Sequence, residues 1–165
     1  MTQATSFDVA ILGGGLAGNL LARQLKRRLP ELRIGLFERS RSTSFKVGEA
    51  TVEIQASYLV RRQGLTNYLY EQHLPKNGLR YFFDDAEKGL SLPEMSEIGT
   101  VNLPFHPAFQ LDRARLEADL LDMNRQAGVR VRTGAAGGEV ELGAEGAPHR
   151  FAVREADGLA QHSAR

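Results

Sequence analysis

Residues 7–18, FDVAILGGGLAG, decide the fold of this chain. The apolar run at 7–12 predicts a short strand buried on both faces of a parallel sheet. Apolar residues then recur with helical spacing from Leu16 to Leu29, and Pro30 follows as a stop. Residues 33–37, RIGLF, predict a second strand. Strand, glycine turn, helix and strand together predict a right-handed βαβ crossover, and therefore an α/β, Rossmann-like fold.

The glycine turn has the GxGxxG spacing of dinucleotide-binding units. Gly13 would allow the tight turn off the strand, and Gly15 would let a pyrophosphate approach the backbone. Gly18 would let the helix pack close to the strand. The helix starts at Leu16 and Ala17, whose free N–H groups would face the phosphates. The alternative is that these glycines only serve a tight strand–helix turn.

An acidic residue ends the second predicted strand. Glu38 follows Gly18 by twenty residues, where a carboxylate can accept hydrogen bonds from the hydroxyls of an adenosine ribose. It would also repel a 2′-phosphate, which favours FAD or NAD over NADP. We include its neighbour Arg39 in the predicted cofactor site.

Composition excludes several other classes of protein. The net charge is +1, which gives no basic field for nucleic acid or an anionic membrane. The chain has no cysteine, and its four histidines are widely spaced, so we expect no metal site. No hydrophobic signal core and no apolar run of ~20 residues is found, and we expect a cytoplasmic protein.

The rest of the chain predicts further α/β elements. Residues 84–110 carry three prolines and two glycines and predict mostly loop, in which His106 favours a structural turn over an active-site role. Asp112 is a predicted N-cap for a helix that ends near Ala127. We expect the other helices at 52–63 and 66–72, the other strands at 79–83 and 129–132, and an antiparallel pair at 138–142 and 149–154.

Two short motifs resemble one enzyme family. Residues 47–51, VGEAT, resemble a signature of flavin-dependent halogenases and their relatives among the FAD-dependent monooxygenases. Residues 110–116, QLDRARL, resemble the family segment that opens a helix near the flavin. The resemblance implies FAD as cofactor. It also implies a flavin environment formed by Gly48, Glu49, Ala50, Gln110 and Arg113, although Glu49 has the alternative of capping nearby backbone N–H groups.

The resemblance also implies a candidate catalytic residue. Halogenases of the phenol and pyrrole type carry a lysine in a K-x-G pattern, which Lys76-Asn77-Gly78 matches. That lysine positions or captures the oxidised halide. In the tryptophan halogenases the lysine follows the Asn-Gly pair, where this chain has Arg80 or Tyr81. The alternative for Lys76 is a solvated loop lysine.

Several segments of the family pattern are absent. No D-A-x-G or later G-D segment occurs, and WxWxIP cannot occur without tryptophan. We therefore interpret residues 1–165 as the N-terminal portion of an FAD-binding domain, truncated before its later segments and its substrate domain. The resemblance implies an aromatic or similar small-molecule substrate and a separate flavin reductase. Three functions stay open, namely a halogenase, a hydroxylase or reductase without halide chemistry, and a non-catalytic remnant.

Overall fold

The computed structural model describes residues 5–102 and 107–165, so that His106 lies outside the described residues. The chain forms two compact units. The first unit consists of Met1–Val47 and Asp112–Arg165, and the second of Gly48–Leu111. Within the described residues, no helix is both long enough and apolar enough to cross a membrane.

A parallel sheet and two helices form the centre of the first unit. Strands β2 (Val9–Leu12) and β3 (Ile34–Glu38) pair in parallel and are joined by helix α1 (Leu16–Arg28). Strand β8 (Arg130–Thr133) pairs with the other side of β3 and follows helix α4 (Arg113–Gln126). These bounds confirm the predicted βαβ unit and the predicted helix after Asp112, whose side chain accepts a hydrogen bond from the Arg115 N–H.

The two faces of strand β3 contribute to different cores. Ile34 and Leu36 pack with Leu121 of α4 and Ala22 of α1, and Phe37 packs on the opposite face. This alternation is the period of two that a strand imposes on its side chains. On that face a second, mixed sheet packs on Phe37.

The covering sheet contains β1 (Thr5–Phe7), β9 (Ala136–Glu141), β10 (His149–Glu155) and β11 (Gly158–Ala164). Their order in the sheet is β1-β11-β10-β9, with β1 parallel to β11. Strands β9 and β10 confirm the predicted antiparallel pair, whereas β11 was not predicted. The single predicted strand at 7–12 is therefore wrong in its first residues, because the chain changes sheets at Asp8.

The second unit contains short helices and two-stranded sheets. Helix α2 (Glu53–Ser57) continues into a π-helical turn (Tyr58–Arg62), and α3 (Thr66–Gln72) confirms the predicted second helix. The loop predicted over 84–110 is wrong in part, because it contains two strands and a 3₁₀ turn. The strands of this unit are β4 (Leu74–Lys76), β5 (Arg80–Phe83), β6 (Ser96–Gly99) and β7 (Ala108–Gln110). The 3₁₀ turn spans Leu92–Glu94.

Candidate functional site

The glycine turn of the first unit has the geometry that dinucleotide binding requires. Gly13 adopts a φ of 117°, a conformation that favours glycine. A Cβ atom on Gly18 would collide with the Gly13 carbonyl oxygen, so only glycine permits this close approach of helix and strand. A Cβ atom on Gly15 would have no neighbour within 4 Å, so the backbone there borders open space. The backbone at Gly15 is therefore open to the approach of a ligand.

The amino terminus of α1 lies at this turn. Gly15 is its N-cap, and no side chain caps the helix there. The first N–H groups of a helix have no partner within the helix and carry its positive dipole end. Leu16 and Ala17 are the first helical residues, and no acidic residue occupies the first turn. The arrangement therefore suits an anionic ligand.

Glu38 lies beside the turn at the carboxyl end of β3. Its Oε2 atom accepts a hydrogen bond of 2.7 Å from the Gly14 N–H, and its Oε1 atom accepts one of 2.8 Å from the Ser40 N–H. Burial alone would raise the pKa of Glu38, but these hydrogen bonds and the Lys46 ammonium outweigh it and hold the pKa below 4.5. The carboxylate is therefore ionised at neutral pH and retains lone pairs for a ribose hydroxyl.

Gly14 is a functional glycine that the sequence analysis did not single out. It is buried, and a Cβ atom there would lie 2.7 Å from the Glu38 Cβ atom. The run of three glycines was the available signal, because GxGxxG leaves this position unrestricted. A crevice at the carboxyl ends of β2 and β3 is lined by residues that include Gly13, Glu38 and the exposed Arg39.

Arg113 binds a buried carboxylate within the first unit. Glu117 is fully buried and accepts hydrogen bonds from Lys46 and Arg113. Arg113 also donates a hydrogen bond of 3.0 Å to the Val47 carbonyl oxygen. This pairing satisfies the buried charge and attaches residues 46–47 to helix α4. The contact of Arg113 with FAD stays a prediction.

The second unit brings the two family-like motifs together. Ala50 forms a β-bridge with Gln110, and the Leu111 N–H donates a hydrogen bond of 2.8 Å to the Glu49 carbonyl oxygen. The buried Thr51 hydroxyl donates to the Phe109 carbonyl oxygen at 2.9 Å and accepts from the Phe109 N–H at 2.7 Å. The residues predicted to line the flavin, Gly48 to Ala50 and Gln110, therefore belong to one local pairing.

Glu49 precedes helix α2, whose N-cap is Val52. The half-buried Glu49 adjoins Gly48, which adopts a φ of 84°. The role of Glu49 toward the flavin and the alternative of capping nearby backbone N–H groups both stay predictions.

Lys76 ends a strand. In β4 it pairs with Ala108 of β7, and Leu74 of β4 pairs with Gln110. Ala50 and Leu74 thus lie on opposite sides of Gln110, so the candidate lysine lies one strand away from the VGEAT segment. Lys76 is half-buried, and the alternative of a loop lysine is wrong for the backbone at this position.

The aromatic residues after Lys76 are exposed. Tyr81, Phe82 and Phe83 belong to strand β5 and are 57%, 41% and 52% exposed. The pairing of β5 with β6 leaves these rings at the surface of the second unit.

Strand, glycine turn, helix and acid define a dinucleotide-binding α/β domain of the Rossmann type. The family model of the tryptophan halogenases matches residues 8–82. A flavin-dependent halogenase of Dictyostelium discoideum is 36% identical over 126 residues, which are 71% of this chain and 21% of the relative. The resemblance to flavin-dependent halogenases is therefore confirmed in sequence.

Solved structures extend the likeness over nearly the whole chain. The myxobacterial chondrochloren halogenase, described as a variant of FAD-dependent halogenases, superposes with a TM-score of 0.78 at 25% identity, over 97% of this chain and 36% of that chain. The p-nitrophenol 4-monooxygenase of Pseudomonas putida has a TM-score of 0.77 at 16% identity, over 98% of this chain and 40% of that chain. The second likeness shows the fold alone. The chain spans about a fifth of the curated relative and less than half of these structures.

Proposed function

We propose that this chain is the FAD-binding portion of a flavin-dependent, halogenase-like monooxygenase that acts on an aromatic or similar small molecule. The observation that carries the proposal is the glycine turn, where Gly15 borders open space and the ionised Glu38 lies at its side. The 36% identity to a flavin-dependent halogenase supports FAD over another dinucleotide.

Each half of the cofactor has its own set of residues. Gly13, Gly15 and Gly18 shape the turn, and the N–H groups of Leu16 and Ala17 bind the pyrophosphate. Glu38 and Arg39 bind the adenosine ribose. The flavin is lined by these residues: Gly48, Glu49, Ala50, Gln110 and Arg113. Bound FAD supplies the electron transfer to oxygen, which no amino-acid side chain provides.

Lys76 is the proposed catalytic residue. Its position at the end of β4, across β7 from the VGEAT segment, supports this role, as does its partial burial. An ammonium group so held donates hydrogen bonds to an oxidised halide and orients it toward a substrate. A separate flavin reductase is the proposed source of reduced flavin.

The second candidate function is an FAD-dependent hydroxylase without halide chemistry. The TM-score of 0.77 with a p-nitrophenol monooxygenase, almost equal to that with a halogenase, favours keeping this alternative. A non-catalytic dinucleotide-binding remnant is the third interpretation. Cofactor binding and halide dependence separate the three.

Titration of the protein with FAD tests the cofactor assignment. We expect quenching of flavin fluorescence on binding, and much weaker binding of NADP because Glu38 repels its 2′-phosphate. The variant Glu38→Gln removes the negative charge, so its affinities for FAD and NADP should differ less than those of the wild type. Tighter binding of NADP than of FAD would overturn the assignment.

Substitution of Lys76 tests the halogenase assignment. The assay supplies FAD, NADH, a flavin reductase and bromide with an aromatic substrate. Lys76→Ala should abolish the brominated product and leave FAD affinity unchanged, whereas Lys88→Ala, at a lysine paired with Asp85 in the same unit, serves as the control. Hydroxylated product without halide dependence would favour the hydroxylase.

A further inference from the structure

Two buried asparagines join helices α1 and α4 behind the glycine turn. Asn19 and Asn124 are both fully buried. The Asn19 Nδ2 atom donates a hydrogen bond of 2.5 Å to the Gly14 carbonyl oxygen. The Asn124 Nδ2 atom donates to the backbone oxygen and to the Oδ1 atom of Asn19, both at 3.0 Å. Because Asn124 donates to Oδ1, the amide nitrogen of Asn19 faces Gly14.

This pair determines the direction of one peptide group in the turn. A trans peptide is planar, and its C=O and N–H groups point in opposite directions. No peptide bond among the described residues is cis. Since the Gly14 C=O group points to Asn19 in the interior, the Gly15 N–H group points the other way. It points away from the buried amides, at the glycine whose missing side chain leaves open space.

A glycine–glycine peptide needs such a restraint. Neither residue has a Cβ atom that would oppose rotation of the peptide between them. The Gly14 N–H is already held by Glu38 and the Gly13 N–H by the Phe37 carbonyl oxygen. The hydrogen bond from Asn19 fixes the remaining carbonyl group of this segment.

The pair is costly for stability, which argues for a role beyond folding. The Oδ1 atom of Asn124 is buried and accepts no hydrogen bond from any residue that the structure describes. An unsatisfied buried acceptor destabilises the folded state, because its hydrogen bonds to water are lost and not replaced. A pair of leucines, which have the same number and branching of side-chain heavy atoms, would leave no such unsatisfied oxygen atom.

We infer that Asn19, oriented by Asn124, is a positioning residue that holds the Gly15 N–H toward the diphosphate of the bound dinucleotide. The inference rests on the proposed function, because it presumes a dinucleotide at this turn. Asn19 does not itself touch the ligand. It acts through the Gly14–Gly15 peptide.

The double variant Asn19→Leu/Asn124→Leu separates positioning from folding. Removal of both partners leaves no unpaired side-chain amide, but the Gly14 carbonyl oxygen loses its hydrogen bond, so the melting temperature should fall by no more than about 10 °C. The affinity for FAD should fall about tenfold, the range of one hydrogen bond to a charged group. The affinity for ADP-ribose, measured by competition, should fall equally because it carries the same diphosphate, and the affinity for adenosine should not change.

Two further variants complete the test. Asn124→Leu alone should weaken FAD binding less than the double variant, because Asn19 keeps its amide but loses its fixed orientation. Leu120→Met, a volume-conserving change at another buried residue of α4, should leave FAD affinity unchanged. If the double variant binds FAD as tightly as the wild type, the inference is wrong and the proposed function stands. If the wild type does not bind FAD, both are wrong.

Discussion

The glycine turn and the VGEAT segment are held in place by different means. In the turn, the residue types that are adjacent in sequence determine the geometry, through the φ of Gly13 and the missing side chain of Gly18. The VGEAT segment takes its position from a strand about sixty residues away, to which the Thr51 hydroxyl and the Glu49 carbonyl group are hydrogen-bonded. The geometry of a local motif can be predicted from its own residues, whereas the position of a paired motif can be predicted only when the distant strand that pairs with it is known.

The largest expected effect comes from filling the close contact in the turn. Gly18→Ala places a Cβ atom against the Gly13 carbonyl oxygen, which is backbone and cannot rotate away. We expect a loss of about 3 kcal/mol or more in the free energy of unfolding, together with loss of FAD binding. Urea denaturation measures the first effect and flavin fluorescence the second. A stable, flavin-binding Gly18→Ala variant would contradict the local account of the turn.

A substitution at Gly15, unlike Gly18→Ala, should affect FAD binding without affecting the stability of the fold. Its φ of −71° suits any residue, and the new side chain meets no neighbour. Gly15→Val should therefore change the free energy of unfolding by less than about 1 kcal/mol. It should nevertheless abolish FAD binding, because the side chain occupies the space proposed for the pyrophosphate. Wild-type flavin content in this variant would show that the phosphates bind elsewhere.

An intermediate effect is expected in the paired motif. Thr51→Val keeps the shape of the side chain but removes the acceptor for the buried Phe109 N–H. This change should cost about 1–3 kcal/mol, and amide hydrogen exchange should accelerate at Leu111 and Thr51. Thr51→Ser retains the hydroxyl and should behave like the wild type. Equal amide exchange rates in Thr51→Val and Thr51→Ser would mean that the backbone hydrogen bonds alone hold the VGEAT segment in place.

The smallest effect concerns the pH dependence of the first unit. Burial among three phenylalanine rings lowers the pKa of His162; these rings are Phe7, Phe37 and Phe151. The positive charges of Arg130 and Arg132 also lower this pKa, and the negative charge of Glu155 raises it. The unfolded chain therefore binds the proton more readily. The contribution of neutral His162 to the free energy of unfolding is present above the ordinary histidine pKa of 6.5. It is lost as the pH falls through the lower pKa that His162 has in the folded state. His162→Phe should flatten this dependence in denaturation series between pH 7 and pH 5, and an unchanged slope would assign it to other groups.

The difference between local and paired motifs also explains what the sequence could predict. Strand, helix and acid around Gly13–Gly18 were predictable, because hydrophobic period and glycine spacing act within some thirty residues. The pairing of Ala50 with Gln110 was implied only as two separate resemblances. Asn19 and Asn124 look like ordinary polar residues of two helices, and only the packing of α1 on α4 brings them together. The strand at Lys76 was missed because β4 has three residues and includes a proline.

The contact between Gly14 and Glu38 has a consequence for the evolution of cofactor preference. A Cβ atom at position 14 would lie 2.7 Å from the Glu38 Cβ atom, which every residue except glycine retains. A lineage that exchanges the acid for a small residue, to admit a phosphorylated ribose, loses the acceptor for the Gly14 N–H but gains no room for a side chain at position 14. Descendants with a different cofactor preference should therefore vary at position 38 and keep glycine at position 14.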